Sequence, residues 1–150
     1  MATEILVDAD ACPVKAEIER VATRHEMTVY LVSNSGIRPS GNPLVRNVVV
    51  SDKFDAADDW IAERAGPNTI VVTADIQLAD RCIKSGALVL GPTGKPFTEN
   101  SIGTALAMRE LSSQLRDMGE IKGGGPAFSA ADRSRFLNAL EALVQKAKRG

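Results

Sequence analysis

Short runs of aliphatic and β-branched residues recur along the first 90 positions, separated by polar or helical stretches. They lie at residues 5–7, 28–32, 47–50, 69–72 and 87–90. Because these runs are continuous rather than alternating, they are typical of strands that are buried on both faces of a sheet. The pattern therefore predicts a central sheet of about five strands.

Apolar residues at helical spacing fill three of the intervals between the runs. The first predicted helix begins at Pro13, and the next two cover residues 57–65 and 76–85, with Gly86 as a C-terminal signal. Strands that alternate with helices predict a parallel sheet with right-handed crossovers and helices on both faces. Two C-terminal helices are predicted over residues 101–118 and after Ser129, where Ser129 and Asp132 match a capping box.

The length and the charge balance of the chain limit the number of domains and the classes of function that it can have. A chain of 150 residues predicts one domain over 1–150. The net charge is -1, but residues 1–100 carry 10 Lys/Arg against 14 Asp/Glu, whereas residues 101–150 carry 8 against 5. No overall positive field attracts nucleic acid or an anionic membrane. No apolar run approaches the roughly 20 residues of a membrane span, so we expect a cytoplasmic protein with no membrane association.

The histidine and cysteine counts narrow the chemistry further. His25 is the single histidine, which excludes multi-histidine metal sites. Cys12 and Cys82 lie outside any CxxC pair, so we expect reduced thiols rather than a disulfide or a zinc site.

Aspartates follow the predicted strands directly. Asp8 and Asp10 come after the first strand, Asp75 comes after the fourth, and Asp58 lies in the first turn of the second helix. Ligands of open parallel sheets bind at the carboxyl ends of the strands. Carboxylates brought together there repel one another unless a cation neutralises them, and Mg²⁺ and Mn²⁺ prefer oxygen ligands. The sequence therefore predicts a Mg²⁺ or Mn²⁺ site at Asp8, Asp10, Asp58 and Asp75.

Helical geometry separates the neighbouring aspartates of the second helix. At about 100° per residue, the apolar face that includes Trp60 and Ile61 leaves Asp58 at roughly a right angle and Asp59 nearly opposite. We expect Asp58 to reach the site and Asp59 to face solvent. Asp55 is either a helix cap or a ligand, and Asp80 is predicted to support the site from outside.

Four stretches in the same order resemble the YaiI/YqxD family, a bacterial group assigned to the PIN-like superfamily. They are Asp8-Ala-Asp-Ala-Cys-Pro-Val-Lys15, Asp55-Ala-Ala-Asp-Asp-Trp-Ile61, Thr73-Ala-Asp-Ile-Gln-Leu-Ala79, and Gly124-Gly-Pro126 followed by Asp132-Arg133 and Phe136. The resemblance implies a PIN-like three-layer α/β/α sandwich and a metal-dependent ribonuclease. It implies that Asp8, Asp58 and Asp75 act at the strand ends with Asp10 in support. Nuclease members often have glutamate on the middle helix, where this chain has aspartate.

The predicted function is thus Mg²⁺- or Mn²⁺-dependent hydrolysis of RNA phosphodiester bonds by these aspartates. An acidic protein needs basic or polar residues at the rim of the site to hold a polyanion. The candidates for substrate binding are Lys15, Asn34, Arg38, Arg46 and Lys122. The sequence leaves a homodimer open.

Two alternatives stay open. An apolar strand followed by Asp8-Ala9-Asp10 also resembles haloacid dehalogenase phosphohydrolases, and Val32-Ser33-Asn34 resembles their second motif. In that class Asp8 would form an aspartyl phosphate and Asp10 would be the general acid and base. The class also requires a lysine and a later acidic pair, whereas Asp75 has no adjacent acid. The other alternative is a non-catalytic PIN-like module that binds RNA or a protein.

Overall fold

Strands and helices alternate along the chain, as the hydrophobic pattern predicts. The computed structural model describes residues 3–34, 41–51, 53, 56–104, 107 and 128–149. Its strands are Glu4–Asp8 (β1), Val29–Ser33 (β2), Val45–Val49 (β3), Thr69–Val72 (β4), Leu88–Leu90 (β5) and Pro96–Phe97 (β6). Its helices are Lys15–Arg24 (α1), Ala56–Arg64 (α2), Ile76–Lys84 (α3), residues 99–104 (α4) and Ala130–Arg149 (α5), and a 3-10 turn covers Ala9–Ala11.

The sheet has the order β3-β2-β1-β4-β5-β6 within the described residues. Strands β1 to β5 pair in parallel, which confirms the five predicted strands. A sixth strand, β6, which the hydrophobic pattern does not predict, pairs antiparallel with β5. The chain reverses there through Gly94, whose φ is 91°, and the amide of Gly91 donates to the carbonyl of Lys95 at 2.9 Å.

Side chains of the strands alternate between two cores, one on each face of the sheet. Ile5 and Val7 of β1 pack with α1 and α5 on one face, whereas Leu6 packs with α2 and α3 on the other. The fold is therefore a three-layer α/β/α sandwich, as predicted. Within the described part of the chain, no helix is both long and apolar enough to cross a membrane.

The helix ends follow the predicted signals where the structure describes them. Ser129 and Asp132 exchange backbone-to-side-chain hydrogen bonds of 3.0 and 3.1 Å, which confirms the capping box before α5. Gly86 has a φ of 94° and follows α3. The fourth helix begins at residue 99, and most of its predicted remainder up to residue 118 lies outside the described residues.

The parallel register gathers the carboxyl ends of β1, β2 and β4 at one edge of the sheet. Asp8 lies opposite Val32 of β2, and Val7 lies opposite Val72 of β4. Residues that follow these strands therefore meet at this edge, which is where ligands bind in open parallel sheets.

Candidate active site

Asp8 and Thr73 connect the carboxyl ends of β1 and β4. The hydroxyl of Thr73 donates a hydrogen bond of 3.0 Å to Oδ2 of Asp8. The same hydroxyl accepts the backbone N–H of Asp75 at 3.0 Å. Thr73 is only 2% exposed, so both contacts are shielded from water and the hydroxyl fixes the two aspartates relative to each other.

Asp8 sits in an environment that opposes its ionisation. Burial raises the pKa of the Asp8 carboxyl, the Thr73 hydrogen bond lowers it, and the charges of Asp75 and Asp10 raise it again, with a net increase. The Thr73 hydroxyl and the charges of Asp75 and Asp10 thus all act on the Asp8 carboxyl. We call Asp8, Asp10 and Asp75 the carboxylate edge.

Asp10 connects this edge to β2. It lies in the 3-10 turn after β1, and its Oδ2 accepts the backbone N–H of Asn34 at 3.0 Å. Asn34 is exposed and directly follows β2. The predicted pair Asp8 and Asp10 is therefore spread along the edge, with Asp8 towards β4 and Asp10 towards β2.

Asp75 has two roles at once. Its Oδ1 accepts the N–H groups of Gln77 and Leu78 at 2.9 and 3.1 Å, so it is the N-cap of α3. The cap holds the carboxylate in one orientation at the start of the helix. Its charge still acts on Asp8, so capping does not remove it from the carboxylate edge.

A small cavity of about 30 Å³ adjoins Asp8. It is lined by Asp8, Cys12, Val72, Thr73, Ala74 and Pro92. This volume holds one or two water molecules rather than an organic ligand. Burial raises the pKa of the Cys12 thiol, so the cysteine lining the cavity is not an activated nucleophile.

Asp58 is half-buried on α2, whereas the neighbouring Asp59 is exposed. Asp58 lies near Cys82 of α3, and burial together with the Asp58 charge helps to raise the pKa of that thiol to about 11. Asp59 is exposed and pairs with Arg81 at 3.0 Å, in agreement with its predicted direction. Asp80 pairs with Lys84 at 2.8 Å on α3, and Asp55 lies outside the described residues.

The fit of the carboxylate edge to a cation depends on the kind of ion. In the described part of the chain, no three carboxylate, imidazole or thiol side chains are grouped as a complete metal site. Mg²⁺ seldom needs such a cage, because it usually keeps several waters and is held by one or two carboxylates and a substrate phosphate. Asp8 with its neighbouring carboxylates offers oxygen ligands of this kind, and their mutual repulsion favours a bound cation.

The predicted substrate-binding residues fall in different places. Lys15 begins α1, and its Nζ donates to the carbonyl of Cys12 at 3.2 Å, which keeps its charge near the small cavity. Arg46 is exposed on β3 and lies two positions before Val48, the residue that pairs with Val32, so it is set back from the carboxylate edge. Arg38 and Lys122 lie outside the described residues.

Thr73 is a residue of the candidate site that the pattern of aspartates does not indicate. The sequence does contain a signal for Thr73. It directly follows the β-branched run of β4 and so lies at the same edge of the sheet as the aspartates. A search for charged residues alone does not find Thr73, although its hydroxyl contacts both Asp8 and Asp75.

Comparison with known proteins gives a consistent family assignment. Residues 6–146 match the family described as "Uncharacterized BCR, YaiI/YqxD family". A UPF0178 protein of Parvibaculum lavamentivorans is 63% identical over 147 residues, covering 98% of this chain and 97% of the relative. A UPF0178 protein of Rhizobium etli is 58% identical over 144 residues, covering 96% and 93%. No solved structure shows a significant match to this chain.

Proposed function

The chain belongs to the YaiI/YqxD family, and we propose that its carboxylate edge is the active site of a metal-dependent ribonuclease that acts in the cytoplasm. The observation that carries the proposal is the position of Asp8, which lines a cavity of about 30 Å³ at the carboxyl ends of β1 and β4 and shares the hydroxyl of Thr73 with the backbone of Asp75. Asp8 is half-buried, and burial together with the charges of Asp75 and Asp10 opposes its ionisation, which a bound cation would favour.

We propose Asp8 and one neighbouring carboxylate, Asp75 or Asp10, as the protein ligands of a Mg²⁺ or Mn²⁺ ion, with waters and the substrate phosphate as the other ligands, because no three such side chains are grouped as a complete site in the described residues. When bound, the ion would lower the pKa of a water molecule and neutralise charge that develops on the phosphate. Thr73 holds Asp8 in place, and the N–H groups of α3 hold Asp75. The prediction that Asp58 joins them stays a prediction, and an Asp58→Asn variant tests it.

The substrate must approach against the negative charge of this edge. Lys15 provides a positive charge beside the small cavity, and Asn34 presents polar groups at the end of β2. These residues are suited to position a phosphate, but they supply no sequence readout. We therefore propose RNA strands in general as the substrate class, with specificity from groups outside the carboxylate edge.

The test is a hydrolysis assay that identifies products. Purified protein is incubated with labelled single-stranded RNA, structured RNA and DNA in Mg²⁺ or Mn²⁺. Water attack on phosphorus breaks the bond to the 3′ oxygen, which takes a proton, so we expect 5′-phosphate and 3′-hydroxyl ends. Intact RNA under all of these conditions would contradict the proposal.

Assays of aryl phosphate turnover beside the RNA assay distinguish the ribonuclease from the alternative, a phosphohydrolase that uses Asp8 as its nucleophile. That alternative gains some support from Ser33, which is buried at the end of β2 next to β1, as the second motif of that class requires. It predicts turnover of aryl phosphates and a trapped acyl phosphate on Asp8. RNA cleavage without an acyl phosphate supports the ribonuclease instead.

A further inference from the structure

A second and larger cavity adjoins the small cavity at Asp8. Its volume is about 410 Å³, and Ala74 and Pro92 line both cavities. Most of its wall is apolar, formed by Ile76 at the start of α3, Pro92 after β5, and Pro96 and Phe97 of β6. Pockets that bind small organic ligands typically have about 300–1,000 Å³. The larger cavity is therefore of ligand size, in contrast to the cavity at Asp8.

The short antiparallel strand β6 forms one wall of this cavity. The turn through Gly94 returns the chain over Gly91, which has no side chain. A Cβ atom at Gly91 would lie 3.4 Å from Cε2 of Phe97 and 3.4 Å from the carbonyl oxygen of Lys95. Phe97 also packs against the core on the α2 and α3 face, which fixes its ring. Phe97 therefore lines the cavity and also packs on the core.

From this arrangement we infer that the larger cavity binds the nucleobase of a nucleotide whose phosphate lies at the carboxylate edge. The inference rests on the proposed ribonuclease function for the position of the phosphate. An aromatic ring and aliphatic walls suit the flat apolar faces of a base. Lys95 is exposed at the cavity and supplies a positive charge to the phosphate backbone. The shared residues Ala74 and Pro92 make the base cavity and the phosphate position contiguous.

The test measures adenosine binding by NMR titration in EDTA, so that no metal ion contributes to the binding. Ribose 5-phosphate, which lacks the base, is the comparison ligand. We expect adenosine to shift the amide signals of Gly91, Lys95 and Phe97, and ribose 5-phosphate to leave them unchanged. No shift with adenosine, or equal shifts with both ligands, would overturn the inference.

Two variants test the cavity directly. Gly91→Ala adds a methyl group at an ordinary contact distance from Phe97, and we expect adenosine affinity to fall about tenfold or more. Phe97→Leu removes the ring, with a similar expected loss. Gly103→Ala is the matched control for the first, since nothing lies within 4 Å of the added Cβ. Phe128→Leu is the control for the second, because Phe128 packs on the α1 and α5 face. Unchanged affinity in Gly91→Ala would contradict the inference even where Phe97→Leu fails to fold.

Failure of this inference is distinguishable from failure of the ribonuclease proposal. RNA cleavage in Mg²⁺ without adenosine binding overturns only the base cavity. Adenosine binding that Gly91→Ala weakens, with no RNA cleavage in either metal, overturns the ribonuclease and supports the base cavity.

Discussion

The hydroxyl of Thr73 lies 3.0 Å from Oδ2 of Asp8 and donates a hydrogen bond to it, which joins the carboxyl ends of β1 and β4. Because this hydroxyl also accepts the N–H of Asp75, one buried uncharged side chain organises two of the three carboxylates. The arrangement of the candidate site therefore depends on Thr73 as much as on the aspartates.

Replacing Thr73 by valine keeps the volume of the side chain and removes both hydrogen bonds. We expect the free energy of unfolding to fall by about 1–3 kcal/mol, since a buried N–H and a half-buried carboxylate lose a partner. The pKa of Asp8 rises further, because the Thr73 hydrogen bond lowers it in the wild type. Urea denaturation measures the stability, and carbon-detected NMR titration of Asp8 measures the pKa.

Thr73→Ser is the control for this variant, because serine restores the hydroxyl and lacks only the methyl group. We expect it to recover most of the lost stability and the wild-type pKa of Asp8. Equal losses in the serine and valine variants would show that packing, not the hydroxyl, is what matters at this position.

Asp8→Asn changes the pH dependence of stability in a direction that the raised pKa determines. In the folded protein burial favours protonated Asp8, so ionised Asp8 costs stability above the ordinary carboxyl pKa of about 4. Asparagine cannot ionise. In EDTA, Asp8→Asn should therefore be more stable than the wild type at pH 7, and the difference should vanish as the pH falls below about 4.

Asp132→Asn should behave in the opposite way. The pKa of Asp132 is lowered, chiefly by the backbone hydrogen bond from Ser129 and then by Arg135, so its ionised form contributes stability at neutral pH. The asparagine variant should lose stability at pH 7 and approach the wild type on acidification. Urea denaturation across pH compares the two variants, and the same sign of change in both would be inconsistent with the described environments.

Gly94→Ala should be strongly destabilising, because the turn between β5 and β6 lies against α5. The added Cβ would lie 2.7 Å from the carbonyl carbon of Arg135, and φ at Gly94 is 91°. Gly41→Ala is a matched control, since φ is 82° there but nothing lies within 4 Å of the Cβ. We expect a loss of about 1–2 kcal/mol at Gly41 and of about 3 kcal/mol or more at Gly94. Similar losses in thermal or urea denaturation would mean that α5 does not pack there.

The central strands could be predicted because their β-branched runs are continuous, as burial on both faces demands. The edge of the sheet was less predictable. The run at residues 47–50 predicts a strand there, whereas the structure has β3 at Val45–Val49. The strand begins earlier because Val45 and the exposed Arg46 also pair with β2. β6 could not be predicted from the hydrophobic pattern, because it has only two residues, Pro96 and Phe97. Its pairing with β5 depends on the reversal of the chain at Gly94.

The candidate site could be predicted in part for a related reason. Asp8, Asp10 and Asp75 follow strands, and the parallel topology alone brings strand ends together. Asp58 lies on a helix, so its position depends on how far α2 turns and slides against the sheet, which the sequence does not determine. The inclusion of Asp58 in the carboxylate edge therefore stays a prediction, while its charge helps to raise the pKa of Cys82 on α3.

The most direct test of the account is the rate of RNA cleavage measured against Mn²⁺ concentration for the wild type, Asp8→Asn and Asp59→Asn. Asp59 is a matched control, because it is exposed and pairs with Arg81 away from the carboxylate edge. We predict a saturable dependence on Mn²⁺ in the wild type and in Asp59→Asn, and a loss of about 100-fold or more in Asp8→Asn. Cleavage that persists in EDTA, or that Asp8→Asn leaves at the wild-type rate, would contradict the assignment of the carboxylate edge as a metal-dependent active site.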